Sequence, residues 1–296
     1  MIIATVVTFN KLNMLQECLE ALLSQTFSMD KIIVVDNAST DGTKDFLQGF
    51  QNDKVHVVFS KLNLGGAGGF NLALKESMKF NPQFVWVMDD DSIVESNALE
   101  ELMKANKVLK GKFGFLSSNV LWTDGSPCLM NIPKTEDVWT SYSQKGLVKI
   151  KTASFVSMFI NADAIKAVGY PISEFFIWGD DVEFSDRLSD YKDSYFVPQS
   201  IVIHKMGENV PVNILTDSKN RIPRYYYDRR NRFYRFKKKG AKEILKYIAN
   251  SIMLCLKVIF TKNDYKFLKL KTITKGFLSG IIFNPKVEQY KSEGNR

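Results

Sequence analysis

The chain has 296 residues, 45% hydrophobic and 24% charged, a balance that excludes a disordered, collagenous or coiled-coil protein. Its net charge of +8 is unevenly placed: residues 1–218 hold 19 Lys and Arg against 27 Asp and Glu, net −8, whereas 219–296 hold 21 against 5, net +16. Cys18, Cys128 and Cys255 are too few and too scattered for a disulfide framework or a structural zinc site, which fits a reducing compartment. MIIATVVTFN has no basic segment ahead of its apolar run and no small-residue cleavage site after it, so no secretory signal is expected. No stretch reaches ~18 uncharged apolar residues, so no membrane span is expected either.

In chain order, 2–9 is a short β-branched apolar run and reads as a buried strand. Leu12, Leu15, Leu19, Leu22 and Leu23 recur at helical spacing. KIIVVD (31–36) is a second strand, and NASTDGT (37–43) is turn chemistry, with Thr43 a candidate cap for a short helix. A third strand spans 55–59. Gly65–Gly69 reads as a glycine-rich turn, 70–80 as a helix, and FVWVM (84–88) as a fourth strand running into Asp89-Asp90-Asp91. A helix is expected over 96–110, β-like pieces over 113–117 and 148–155, a helix after Gly179, and short strands at 195–197 and 201–203 ending at His204. From about Ile222 the chain is basic, aromatic and helical. Strands alternating with helices predict an α/β fold with a mostly parallel sheet covered on both faces. Ligands on such sheets bind beyond the carboxyl ends of the strands, where Thr8, Asp36, Asn63 and Asp89 fall.

Three adjacent carboxylates repel one another and raise each other's pKa. Asp89-Asp90-Asp91 reads either as a solvated strand end capping the next helix or, with its alternate carboxylates, as a hard-cation site. Trp178-Gly179-Asp180-Asp181 reads either as a helix N-terminus welcoming acidic groups or as a base activated beside aromatics. His204, one of two histidines, is either structural or a metal ligand at a strand end. The glycine loop after Asn63 lets backbone approach a ligand closely, but its spacing is not a dinucleotide fingerprint, and a P-loop is excluded.

Taken in order, TFN, VVDNASTDGT, NLGGAGGFN, WVMDDD and WGDDVEF resemble the family 2 glycosyltransferases of the GT-A fold, over residues 1 to about 205. The glycine-rich third motif, the acidic triplet, WGDD and the later His resemble the bacterial galactofuranosyltransferase branch; rhamnosyltransferases look similar. The resemblance implies that Thr8, Asn10 and Asp36 hold the nucleoside, with Asp36 on the base, and that Asn63 contacts the nucleotide. Lys11 stands where many relatives carry Arg and keeps the charge without the planar fork. Asp90 would lie near the ribose or donor sugar. Asp89, Asp91 and His204 would ligate Mn²⁺ or Mg²⁺, Asp181 would be the catalytic base, and Asp180 would support it. Trp178, Phe175 and Phe176 would form an acceptor platform or else plain core.

The chemistry implied is inverting single displacement from a nucleotide sugar, UDP-galactofuranose favoured and dTDP-rhamnose the alternative, to a cell-surface glycan or lipid-linked acceptor. The expected division is a GT-A domain over 1–218 and a basic, aromatic, helical region over 219–296. That region suits an anionic membrane, single-stranded nucleic acid, or a cap packed on the body. Leu245, Ile248, Ile252, Leu256 and Ile259 recur at helical spacing with lysines among them. Peripheral attachment to the cytoplasmic face of the cell membrane is therefore expected, with no nucleic-acid partner; a homo-oligomer stays open.

Overall fold

A computed structural model describes residues 1–291. Its elements are β1 (Ile2–Thr8), α1 (Leu12–Leu23), β2 (Lys31–Asp36), α2 (Thr43–Gly49), β3 (Val55–Phe59), α3 (Gly65–Met78), β4 (Phe84–Asp89), β5 (Ser92–Val94), α4 (Ala98–Leu109), β6 (Phe115–Leu121), β7 (Lys134–Thr135), β8 (Val148–Thr152), β9 (Met158–Asn161), α5 (Ala162–Val168), α6 (Asp180–Tyr191), β10 (Ser194–His204), α7 (Tyr225–Lys238), α8 (Ala241–Phe260) and α9 (Lys266–Ile282).

The strands form one sheet in the order β3-β2-β1-β4-β9-β6-β10-β8-β7, with β5 paired to β10. Parallel pairing joins β3, β2, β1 and β4, and again β6 to β10. β9 enters antiparallel between β4 and β6. The strands form because their β-branched residues fill both faces. Along β1, Ile2, Ala4 and Val6 join a core with Leu15, Leu19 and Leu22 of α1 and Leu99 and Leu102 of α4. Ile3 and Val7 join the opposite core with Phe70 and Leu74 of α3 and Phe184 and Leu188 of α6. Each buried leucine contributes roughly 1.5–3 kcal/mol, so the leucines of α1 and α4 alone outweigh any local propensity. The expected helix-flanked, mostly parallel sheet is present.

Several local expectations are corrected. Thr43 is not a cap: Gly42 precedes α2 in the left-handed region, and Asp41 Oδ1 accepts from both the N–H and the hydroxyl of Thr43. The glycines of 65–69 are the first turn of α3 rather than a turn before it. The helix expected from Ser96 starts at Ala98, and β5 separates it from the acidic triplet, which therefore caps nothing. The two short strands near the end of the body are one strand, β10, whose register shifts between Val197 and Ile201 around Pro198.

The C-terminal helices are built differently. α9 lies against α7 because Gly276 and Gly280 leave room: a Cβ on Gly276 would stand 2.5 Å from the Tyr226 carbonyl oxygen. α8 turns Tyr247, Ser251 and Val258 inward and leaves Leu245, Ile252, Leu256 and Ile259 exposed. The stripe expected over 245–259 thus faces solvent. Among the described residues no helix is long and apolar enough to cross a membrane.

Candidate active site

β4 delivers Asp89 at its carboxyl end, and the chain turns through Asp90 and Asp91 straight into β5. β5 pairs antiparallel with the end of β10, Ser92 opposite His204. That register brings His204 Nε2 to 3.1 Å from Asp91 Oδ1. Asp89, Asp91 and His204 offer one ligand atom each within 4.8 Å of one another. Nδ1 of His204 lies 2.9 Å from Asn131 Oδ1, and Asn131 is itself oriented by donating from Nδ2 to Ser154 Oγ at 2.8 Å. An amide oxygen only accepts, so Nδ1 carries the proton and Nε2 faces the carboxylates. Two carboxylates and an oriented imidazole are a donor set that fits a divalent cation.

Lys11 Nζ reaches across from the end of β1 to Asp91 Oδ2 at 2.5 Å and Asp90 Oδ1 at 3.4 Å. Burial and the Asp91 charge push the Asp89 carboxyl up to about 7. Burial would raise Asp91 too, but His204 and Lys11 hold it well below the usual carboxylate range. For His204, burial opposes protonation, yet the Asp91 hydrogen bond, Cys128 and the two carboxylates outweigh it and hold the imidazole at about 9. The cluster thus retains positive charge, a proton or a cation, against its carboxylates.

The second acidic segment sits on a strained loop. Phe176 and Trp178 both lie in the left-handed region, at φ 63° and 66°, followed by Gly179 at 86°. Such conformations cost non-glycine residues about 1–3 kcal/mol each and persist only where their surroundings hold them. Here the holding groups come from α7. Asn231 Nδ2 donates to the carbonyls of Phe175, Ile177 and Trp178 at 2.9–3.2 Å, and Arg230 Nη2 to those of Glu174 and Phe175. Both side chains are buried. From the other side the Ala67 N–H donates to the Phe176 carbonyl. Gly65, at φ 71°, is a glycine because any Cβ would strike the Phe176 backbone. The close approach expected of the glycine loop is therefore made, at this position, to another part of the chain.

The loop opens α6 with Asp180 buried and Asp181 half-exposed. Burial raises Asp181, while the Val182 N–H and the Arg235 guanidinium pull it part-way back. Burial and the adjacent Asp181 charge push Asp180 well above the usual range. A cavity of about 530 Å³ gathers Lys11, Asp89, Asp91, His204, Trp178, Asp180 and Asp181 on its walls. Trp178 packs edge-on against Tyr225 and faces this cavity. Phe175 is fully buried against Tyr234 and Phe283, so it is core and not platform. Phe176 stacks on Tyr227.

The remaining expected residues lie at neighbouring strand ends, outside that lining. Asp36 Oδ1 accepts from the Ser39 N–H, and Asn10 Oδ1 from the Thr40 N–H. Asp90 Oδ2 accepts from the Phe9 N–H. Asn63 Oδ1 accepts from the Gly65 N–H. Thr8 Oγ1 is buried with no hydrogen-bond partner among the described residues.

Asn131, Arg230, Asn231 and Arg235 were not singled out from sequence. Asn131 lies in an irregular stretch with no periodicity to mark it. The segment leading into and through α7 did carry a signal: 221, 224, 228, 232 and 235 recur at three- and four-residue steps, a helical spacing.

Residues 4–108 match the family described as Glycosyl transferase family 2. A galactofuranosyltransferase of Mycolicibacterium smegmatis is 28% identical over 201 residues, 62% of this chain and 64% of that protein. A putative teichuronic acid biosynthesis glycosyltransferase of Bacillus subtilis is 27% identical over 40% of this chain and 47% of its own length. The chain thus spans less than two thirds of these curated relatives. Among solved structures, a mannosyltransferase from Pyrobaculum calidifontis in complex with GDP-Man and Mn²⁺ superposes with TM-score 0.55 at 17% identity, covering 95% of this chain and 74% of that one. S. aureus TarS 1–349 in complex with UDP gives 0.55 at 15%, covering 94% and 70%. The fold is GT-A.

Proposed function

Because residues 4–108 carry the family 2 glycosyl transferase signature on a GT-A fold, we propose that this chain is an inverting glycosyltransferase. It moves a sugar, galactofuranose favoured, from a UDP-sugar to a glycan or lipid-linked acceptor. The observation that carries the reading is one cavity, at the carboxyl ends of the strands, that holds Asp89, Asp91 and His204 together with Asp180 and Asp181. The galactofuranosyltransferase of Mycolicibacterium smegmatis supports the choice of sugar.

Asp89, Asp91 and His204 would hold Mn²⁺ or Mg²⁺, which neutralises charge on a departing diphosphate. Lys11 adds a cation beside them. Thr8, Asn10, Asp36 and Asn63 would hold the nucleoside, and Asp90 would face the ribose or donor sugar. Asp181 would take the acceptor hydroxyl's proton; its raised pKa makes it a stronger base than a free aspartate. Asp180, whose carboxyl burial and the Asp181 charge push upward, would support it, and Trp178 would offer a face to the acceptor sugar. Residues 219–296 complete this body through α7 and attach it to the cytoplasmic face of an anionic membrane. The exposed apolar positions of α8, Phe267 and Ile282 of α9, and the net +16 support that attachment.

The test is thermal stability with a panel of nucleotide sugars, with and without Mn²⁺. A donor at a hundredfold excess over its Kd stabilises by about 2.7 kcal/mol. A UDP-sugar should raise Tm with Mn²⁺ and lose most of that effect on chelation. If no nucleotide sugar shifts Tm with either metal, the assignment falls.

A further inference from the structure

We infer that the α7 wall of the cavity is a binding site for a phosphate group carried by the acceptor. This rests on the reading of Asp181 as the base. The wall presents Arg229, Arg232 and Arg235 of α7, with Arg221 and Arg224 from the turn just before it, to the same space as the acidic clusters. Its own carboxylate, Asp228, is saturated: Oδ2 accepts from Arg229 Nε and Nη2 at 2.8 and 2.6 Å, and Oδ1 from Arg232 Nε at 2.6 Å. Arg221 stands 3.4 Å from Asp217. Among the described residues neither Arg224 nor Arg235 is ion-paired, and Arg235 Nε is buried without a hydrogen-bond partner.

Five guanidiniums converging on one cavity repel one another, and burying an unpartnered cationic donor is costly. A bound anion relieves the repulsion, and the planar fork matches phosphate oxygens. The wall belongs to the acceptor because of what adjoins it. Arg235 lies beside Gly179 and attracts Asp181, the group that would meet the accepting hydroxyl. On the proposed reading the donor's diphosphate would be met by Lys11 and by a cation held at Asp89, Asp91 and His204, on other parts of the same cavity wall. In a single displacement the nucleophile enters opposite the leaving group. Positive charge on the base's side therefore serves a phosphate of the incoming acceptor, either the diphosphate of a lipid carrier or a phosphodiester of a polymer.

The experiment is calorimetric binding by the full chain, in Mg²⁺, of three probes: farnesyl diphosphate, a short glycerol phosphodiester oligomer, and UDP. Each is measured for the native chain and for Arg224→Gln and Arg235→Gln. Arg224 is exposed and unpaired, so its variant keeps the fold, checked by an unchanged Tm. One of the first two probes should bind alongside saturating UDP and weaken roughly tenfold in either variant, while UDP affinity stays within twofold. Which probe binds identifies the lipid carrier or the polymer. The inference is overturned if UDP displaces the probe and itself weakens in both variants, since the wall then holds the donor. It is equally overturned if no probe depends on either arginine. Failure of UDP to bind, with the arginine dependence intact, would sink the glycosyltransferase reading and not the phosphate site.

Discussion

Asp181 is the residue on which transfer would turn, and its surroundings set the pH at which it can act. Asp181→Asn is nearly isosteric but cannot accept a proton, so kcat should fall on the order of 10²–10⁴-fold while donor Kd is kept. Near-normal turnover would move the base elsewhere. Because burial raises this carboxyl, the ionised form is lost as pH falls through a value above the ~3.9 of a free aspartate. The acid limb of kcat/KM should therefore lie above that value. Arg235→Gln removes an attraction that favours the ionised form, so it should move the limb to still higher pH; an unmoved limb would count against Asp181. At this scale the sequence was informative where a residue ends a strand. Asp89 and His204 could be located because the apolar runs before them stop there. Asn131 could not, since its link to His204 spans 73 positions and depends on a fold no local pattern announces.

Between residues and molecule stand the loop of 175–179 and the helices that hold it. Two left-handed aromatics cost together about 2–6 kcal/mol, and the hydrogen bonds from Asn231 and Arg230 are of the size that offsets this. Asn231→Ala should lower kcat more than tenfold while leaving UDP affinity within twofold; Asn231→Asp, which loses the donating amide, should behave alike. Equal losses in kcat and in nucleotide binding would indicate general unfolding instead. A second test concerns α9. Gly276→Ala would gain up to about 1 kcal/mol of helix propensity, yet its Cβ meets the Tyr226 backbone, which cannot yield as a side chain can. Tm should fall, whereas Gly49→Ala, with nothing within 4 Å, should leave it unchanged or higher. The longer helices and strands followed from periodicity; what escaped were β5, β7, β9 and α5, because runs of two to seven residues such as MFIN are too short to show a period.

For the whole molecule, charge and exposed apolar surface coincide in the last quarter of the chain. A basic residue near an anionic surface contributes about 1 kcal/mol, so a handful of lysines on α8 and α9 would give reversible binding. Co-sedimentation should show attachment to anionic vesicles, weaker at high salt, and little to neutral ones. Ile252→Glu with Phe267→Glu, both on exposed positions, should abolish attachment without altering turnover on a soluble acceptor. Undiminished binding by that variant would leave α8 and α9 a cap. The charge asymmetry was visible in composition alone. That the same region also closes the cavity was not, because it depends on contacts between residues 53–56 positions apart.

Those contacts bear on how the protein comes into being. A ribosome makes residues 175–181 well before residue 231, so the nascent body displays its strand-end carboxylates while the loop beyond them still lacks its fastening. Only when α7 has left the exit tunnel and docked does the loop reach its final shape. By the same logic, a newborn chain that has not reached Asn231 should remain chemically idle, so that the proposed transfer would begin only after the basic last quarter has started to emerge.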